Sequence, residues 1–314
     1  MANFIDVSGL TYCGSEAQEI FTQDIYDLDL RGYGITFRDN VKGKVKLYNG
    51  ELSTVWQEYT CPFTPEGEAS LGEAYMEPAA IKVNMENCYD VFWDTYLVEQ
   101  TEISLRGGIP QTFAEWFFAR LRKEMSKEYQ EMFWKGDEDY SGTTKEYLKV
   151  VDGIEKKLGE AAEVISGAAI TVDNAVAQVE AAAMKAIEVA AAAEVDVDGY
   201  TIFMNYNDAR ILKIALGKLC CGNSMSDRFS NYGLEGDVMY VMGFKVVPTM
   251  QSAGTIIVGP ARNLVLGYDT FDSHLEYKLI DMRETTGDNM FRIIAISNIA
   301  VGVVAPELFV ISKA

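Results

Sequence analysis

Residues 112–136 read TFAEWFFARLRKEMSKEYQEMFWKG, and this stretch carries the strongest local signal in the chain. Thr112 is a good N-cap, Glu115 three residues on completes a capping box, and Pro110 stands just upstream. Phe113, Phe117, Leu121, Met125, Tyr129 and Phe133 recur at every fourth position, with Trp116 and Met132 alongside. A strict four-residue repeat drifts slowly around a 3.6-residue helix, so the stripe should wrap and meet more than one partner. Gly136 reads as the stop, giving a helix over 112–135, about 36 Å long at 1.5 Å per residue. Phe113, Phe117, Leu121 and Met125 are expected to be core, with Leu121 and Met125 against a sheet formed by the C-terminal strands. Leu121→Asp is therefore expected to abolish folding, because an uncompensated buried charge costs about 3–5 kcal/mol.

Upstream of this helix the chain is extended in character. Residues 33–59 alternate around Val41 to Leu47, a Pro/Gly-rich patch follows (Cys61-Pro62-Phe63-Thr64-Pro65-Glu66-Gly67), and a second strand-like run comes at Ala80 to Met85. Together these predict a long hairpin over 33–86 with a polar tip. Downstream, helices are expected over Thr143–Leu158 and Asp173–Ala192, a buried strand at Tyr200–Met204, and a helix over Asp208–Leu219 begun by Asn205 or Asn207. Candidate strands then follow at 238–247, 255–258, 263–266, 275–282, 291–297 and 300–311. The order is extended arm, long helix, helical middle and mixed sheet, which makes an α+β chain and not a βαβ series.

Bulk properties exclude several classes. At 48% hydrophobic and 24% charged residues, long disordered stretches are not expected. A net charge of −20 argues against a free nucleic-acid binder, which needs a cationic face, but allows a chain that encloses nucleic acid without gripping it. Five cysteines (Cys13, Cys61, Cys88, Cys220, Cys221) with no regular spacing read as free thiols in a reducing cytoplasm. The first six residues lack the basic start and apolar run of a signal peptide. The apolar stretch Ile293–Ile311, interrupted by Asn298, Pro306 and Glu307, reads as buried strands, and no membrane partner is expected.

Three further segments carry a resemblance. Gly259-Pro260-Ala261-Arg262-Asn263-Leu264-Val265-Leu266-Gly267-Tyr268-Asp269, the stretch Leu275 to Asn289 (LEYKLIDMRETTGDN) and Gly199 to Leu216 (GYTIFMNYNDARILKIAL) occur in the order seen in major capsid proteins of tailed bacteriophages. The chain resembles that family, with its Hong Kong 97-type fold. The resemblance implies an N-terminal arm over 1–32 and an extended E-loop hairpin over 33–86. A peripheral (P) domain over 87–145 would hold the spine helix 112–135, an axial (A) domain would cover 146–262, and P-domain strands would return over 263–314. It implies a subunit that assembles with copies of itself as pentamers and hexamers into an icosahedral shell around double-stranded DNA. Scaffolding, portal and minor capsid proteins would be its partners, the host bacterial cytoplasm its place of assembly and the virion its location. The chain departs from part of the family in lacking a long charged helical N-terminal extension. A separate scaffold, a processed chain and assembly without a scaffold all remain open. An encapsulin-like nanocompartment shell shares the fold and is the alternative, with an α+β enzyme of unfamiliar site behind it.

Little in the sequence points to chemistry. With His274 the single histidine there is no His-based triad or multi-histidine metal site, and neither a P-loop nor a GxGxxG is present. The chain is read as not an enzyme, with no cofactor. Arg120, Arg122, Lys123 and Lys127 either pair with Glu124, Glu128 and Glu131 at helical spacing or face packaged DNA. Lys42, Lys44 and Lys46 protect a strand edge, or supply the isopeptide lysine that some relatives of this fold use. These lysines, with Val55, Trp56 and Phe63, are the candidate inter-subunit contacts.

Overall fold

The computed structural model describes residues 11–13, 29–53, 56, 61, 68–105, 112–220, 233–235, 238–268, 276–283 and 286–314. Up to residue 192 the strands are β1 (Thr11–Cys13), β2 (Thr36–Arg38), β3 (Val45–Ser53), β4 (Glu68–Met76), β5 (Ala79–Cys88) and β6 (Glu163–Ser166). Its helices are α1 (Tyr89–Leu105), α2 (Phe113–Lys135), α3 (Ile154–Ala161) and α4 (Ala175–Ala192). The remainder holds β7 (Tyr200–Asn205), α5 (Tyr206–Cys220), β8 (Gly233–Glu235), β9 (Val238–Val241), β10 (Phe244–Thr249) and β11 (Ile256–Pro260). It ends with β12 (Leu264–Tyr268), β13 (Glu276–Asp281), β14 (Met290–Val303) and β15 (Val310–Lys313). One six-stranded sheet runs β1-β13-β14-β12-β2, with β5 also on β14; a seven-stranded sheet runs β6-β15-β11-β7-β10-β9-β8; β3 and β4 form a separate ribbon.

Helix α2 joins the layers. Its capping box forms as read: the Glu115 N–H donates to the Thr112 hydroxyl, and the Glu115 carboxylate accepts from the Thr112 N–H. The drifting stripe has two sets of partners. Phe113, Trp116, Phe117 and Phe118 pack with Tyr89, Leu279, Phe291 and Ile293, while Met125, Tyr129, Met132, Phe133 and Trp134 lie in the main core with residues of both large sheets. Phe113 and Phe117 are buried at 1% and 6% exposure and Met125 at 6%, but Leu121 is only partly buried, touching both clusters at their junction. A third cluster sets the alanine face of α4 against α5 and the seven-stranded sheet, where small side chains allow close approach.

Several sequence expectations are corrected. Gly136 does end α2, but in extended backbone (φ −52, ψ 142) and not as a left-handed cap. Glycine is needed there for space: an added Cβ would sit 2.1 Å from the Val151 carbonyl oxygen. The expected helix over 143–158 splits into a 3₁₀ turn, Glu146–Val150, and α3, because the chain opens so that the Gly153 N–H can donate to the Gly136 carbonyl at 2.8 Å. Ala80–Met85 is not the returning arm of the hairpin; as part of β5 it pairs with β14, and the returning arm is β4. The runs 291–297 and 300–311 are not two strands either. β14 is continuous through Asn298, pairing with β13 over its first half and with β12 over its last five residues. The terminal β15 pairs with β11 and β6, so the chain ends in the seven-stranded sheet and not among the strands that return to the other one.

At the edge of the six-stranded sheet, Asp281 is anchored by Arg283. The guanidinium Nη2 lies 2.5 Å from one carboxylate oxygen, and the Asp281 side chain is 7% exposed. Burial would raise the carboxyl's pKa, but hydrogen bonds from the Arg283 side chain and backbone and its charge outweigh burial and hold it below the ordinary carboxylate range. A carboxyl with a depressed folded pKa contributes stability above its unfolded value, about 3.9, and loses it as pH falls through the folded value. Arg283→Met is expected to cost about 2 kcal/mol at pH 7, the scale of a buried charged group losing its partner. In that variant burial alone acts on Asp281, so its stability deficit relative to the parent should shrink as pH falls from 7 to about 3.5. Urea unfolding of both proteins at the two pH values measures this, and a deficit that grows on acidification would contradict the assignment.

Candidate assembly surface

The β3–β4 ribbon is held at its base by its own subunit. Val45 pairs with Met76 and Leu47 with Ala74 across the ribbon. Leu47 and Met76 are buried against Val41, Val265 and Ala300. Gly267 of β12 and Gly302 of β14 make the socket: a Cβ at Gly302 would lie 2.7 Å from Leu47 Cδ1, and one at Gly267 would lie 2.8 Å from Met76 Cε. On the other face Lys44 pairs with Glu77 at 2.5 Å, its hydrogen bond and then its charge holding the Glu77 carboxyl below the ordinary range. The Lys44 and Lys46 ammoniums lie 4.7 and 5.7 Å from the Tyr75 ring centroid. Tyr48 (62% exposed) and Tyr75 are exposed there too.

The candidate contact residues therefore separate. Lys42 is exposed just before β3, and Lys44 and Lys46 share the outer face of the ribbon base. Trp56 is 93% exposed. Val55 and Phe63, like the prolines of the expected tip and His274, lie outside the described residues. On the long helix Lys127 pairs with Glu124 at 2.7 Å, as helical spacing suggested. Arg120 instead reaches Glu99 of α1 and stacks 4.5 Å over the Trp116 ring, while Lys123 is exposed and the Arg122 side chain is outside the described set.

Sequence reading missed α1. Tyr89, Phe92, Trp93 and Tyr96 follow helical spacing and pack into an aromatic cluster with Phe113, Phe117 and Phe291, at centroid separations such as 4.9 Å for Tyr89–Phe291. The recurrence of these four rings was the signal that could have found it.

A cleft of about 320 Å³ lies between β5, α2 and the 3₁₀ turn, lined by Ile81, Val83, Met125, Tyr129, Tyr147 and Ser297 among others. Tyr129 and Ser297 hydrogen-bond each other through their hydroxyls. Beside it, burial opposes ionisation of Glu131, but hydrogen bonds from Lys145 (2.6 Å) and Tyr147 prevail and keep its pKa low. Burial, the same hydrogen bond and the Glu131 charge push the Tyr147 phenol up. Glu128 is raised by burial and by Glu124. Lys145 and Tyr147 thus stabilise the Glu131 carboxylate, whereas the neighbouring Glu124 and Glu131 oppose ionisation of Glu128. Among the described residues no group of three His, Cys, Asp or Glu could hold a metal ion, Cys61 and Cys88 are free thiols, and no helix is long and apolar enough to cross a membrane.

No family model and no curated protein matches the sequence. Solved structures do. The satellite phage P4 procapsid including size determination (Sid) protein aligns over 95% of this chain and 90% of its own at TM-score 0.59 and 11% identity. The capsid of the empty GTA particle aligns over 91% and 89% at TM-score 0.56 and 12% identity. The capsid of Myoviridae phage XM1 aligns over 91% and 92% at TM-score 0.54 and 9% identity. At such identities the likeness speaks for fold, and it covers 91–95% of the chain: the chain has the α+β, Hong Kong 97-type fold of tailed-phage major capsid proteins.

Proposed function

We propose that this protein is the major capsid subunit of a tailed phage, forming pentamers and hexamers that close into an icosahedral shell around packaged double-stranded DNA. The observation that carries the reading is the likeness to chains of phage and GTA capsid structures over 91–95% of the chain. An extended ribbon with a small seat on its own subunit and an exposed outer face supports it, since such surface suits symmetric contact with copies of the chain. The net charge of −20 fits a wall that surrounds DNA without binding its sequence. In this reading residues 1–32 are the arm, the β3–β4 ribbon is the tip-bearing part of the E-loop, the six-stranded sheet with α2 is the P domain, and the seven-stranded sheet with α4 and α5 is the A domain. Scaffolding, portal and minor capsid proteins are the expected partners, and the host cytoplasm the place of assembly. The role is structural and not enzymatic. Sedimentation of the protein expressed with its genomic neighbours should show particles far heavier than a capsomer; a species that stays monomeric at high concentration would overturn the proposal.

The shell is expected to be held without covalent links. Lys44 and Lys46 are engaged with Glu77 and the Tyr75 ring, and the reading assigns no carboxylate to catalyse an isopeptide bond from them. Boiling purified shells in detergent should yield a single band near 34.9 kDa. A reductant-resistant ladder would contradict this and direct attention to Lys42, Lys44 or Lys46.

A further inference from the structure

The cleft between β5, α2 and the 3₁₀ turn is built within one subunit and sets apolar walls beside unpaired acid. Ile81 and Val83 of β5, Met125 and Met132 of α2 and Val150 of the turn make the walls. At about 320 Å³ the cleft stands at the lower end of the range for small-molecule sites, about 300–1,000 Å³. The Tyr129 and Ser297 hydroxyls in its lining are satisfied by each other. Two acids line it from different elements, Glu128 from α2 and Glu146 from the turn.

These two acids differ from their neighbours. Glu124 pairs with Lys127, and Glu131 accepts from Lys145 and Tyr147. Among the described residues Glu128 and Glu146 have neither a hydrogen bond nor an ion pair. Lys82 also borders the cleft, but it is exposed, and strand alternation puts it on the opposite face of β5 from Ile81 and Val83. Glu128 is half-buried, and burial opposes its ionisation. A carboxylate so placed gains from a cation that can donate hydrogen bonds to it. The walls add a second requirement. A hydrated metal ion gains nothing from methionine and valine, whereas an ammonium on a methylene chain covers them. Two acids on separate elements call for two ammonium groups. A lysine side chain would bring the methylene chain but only one charge.

We propose that the cleft binds a short linear diamine, its methylene chain against Ile81, Val83, Met125 and Met132 and its two ammonium groups on Glu128 and Glu146. The ligand would tie the 3₁₀ turn to the long helix, so it stabilises the subunit by mass action, assembled or not. The proposal is therefore independent of the shell reading. Calorimetric titration of the purified full-length protein with putrescine, a four-carbon diamine, tests it. Putrescine should bind once per chain and raise the urea midpoint. Its single-charge counterpart n-butylamine should bind about tenfold more weakly, the scale of one lost charge-assisted hydrogen bond. Butanediol should give no heat of binding, and magnesium, a dication without an apolar chain, should leave the midpoint unchanged. Glu128→Gln and Glu146→Gln should each weaken putrescine binding about tenfold. Glu124→Gln, on the same helix but outside the lining, should leave it unchanged. Should Glu128→Gln lose the native far-UV circular dichroism, the exposed Glu146 decides the matter. No binding by the parent, or parent-like binding by Glu146→Gln or by a folded Glu128→Gln, would overturn the proposal. An equal response to magnesium would also overturn it, by revealing general attraction to a chain of net charge −20. Butylamine binding as tightly as putrescine would do the same and point to a ligand with one ammonium group.

Discussion

A chain in which residues 52–71 are replaced by a short Gly-Ser linker is expected to fold and to form no stable shells. The contacts that seat the ribbon, Leu47 and Met76 in the socket made by Gly267 and Gly302, lie outside the replaced segment, so the subunit keeps them. Among the described residues, the two large sheets and helices α1 to α5 are outside it as well. Far-UV circular dichroism and the urea midpoint should therefore stay close to those of the parent. What is lost is the reach of the ribbon, including the 93% exposed Trp56. A two-stranded ribbon is marginal in water by itself, so its outer part requires a covering surface, which the proposal places on the adjacent subunit. Normal particles from the truncated chain would make the ribbon dispensable. Failure to fold would place this segment in the core of its own subunit.

Phe133→Ala is expected to destabilise the subunit by about 3–5 kcal/mol, a large part of the total stability of most domains. Phe133 has 0% exposure, and it lies where the long helix, α3 and both large sheets converge, so the cavity left behind cannot collapse without moving two layers. Leu121→Asp, which the four-residue stripe ranks with the deepest core changes, should cost less than the sequence suggests, because the new carboxylate could turn toward water from the junction of two clusters. Urea midpoints of the two variants should order them, with Phe133→Ala the less stable. The reverse order would show that the junction at Leu121 is drier than its partial exposure indicates.

What was legible in the sequence was local. The Thr112–Glu115 capping box and the drift of the stripe onto two partners both follow from residue spacing, and both are present. Helix α1 was missed because its outward Val91, Val98 and Leu105 cancel the one-sided periodicity that its inward rings would otherwise show. Gly136 and Gly153 looked like ordinary punctuation, while the need they answer, backbone against backbone, is tertiary. The single long β14 was divided at Asn298 because a polar residue in an apolar run suggests an end. Here the strand exchanges one neighbour for another instead. The sheet to which β15 belongs depends on pairing with β6, some 150 residues earlier, and alternation carries no information about a partner.

Electron microscopy of the purified protein, expressed alone and together with the genes beside it, tests the central claim most directly. The account predicts closed particles of uniform diameter whose surface resolves into five- and six-fold clusters, with density for one ribbon per subunit lying across its neighbour. Fields of monodisperse single subunits under every assembly condition would contradict it.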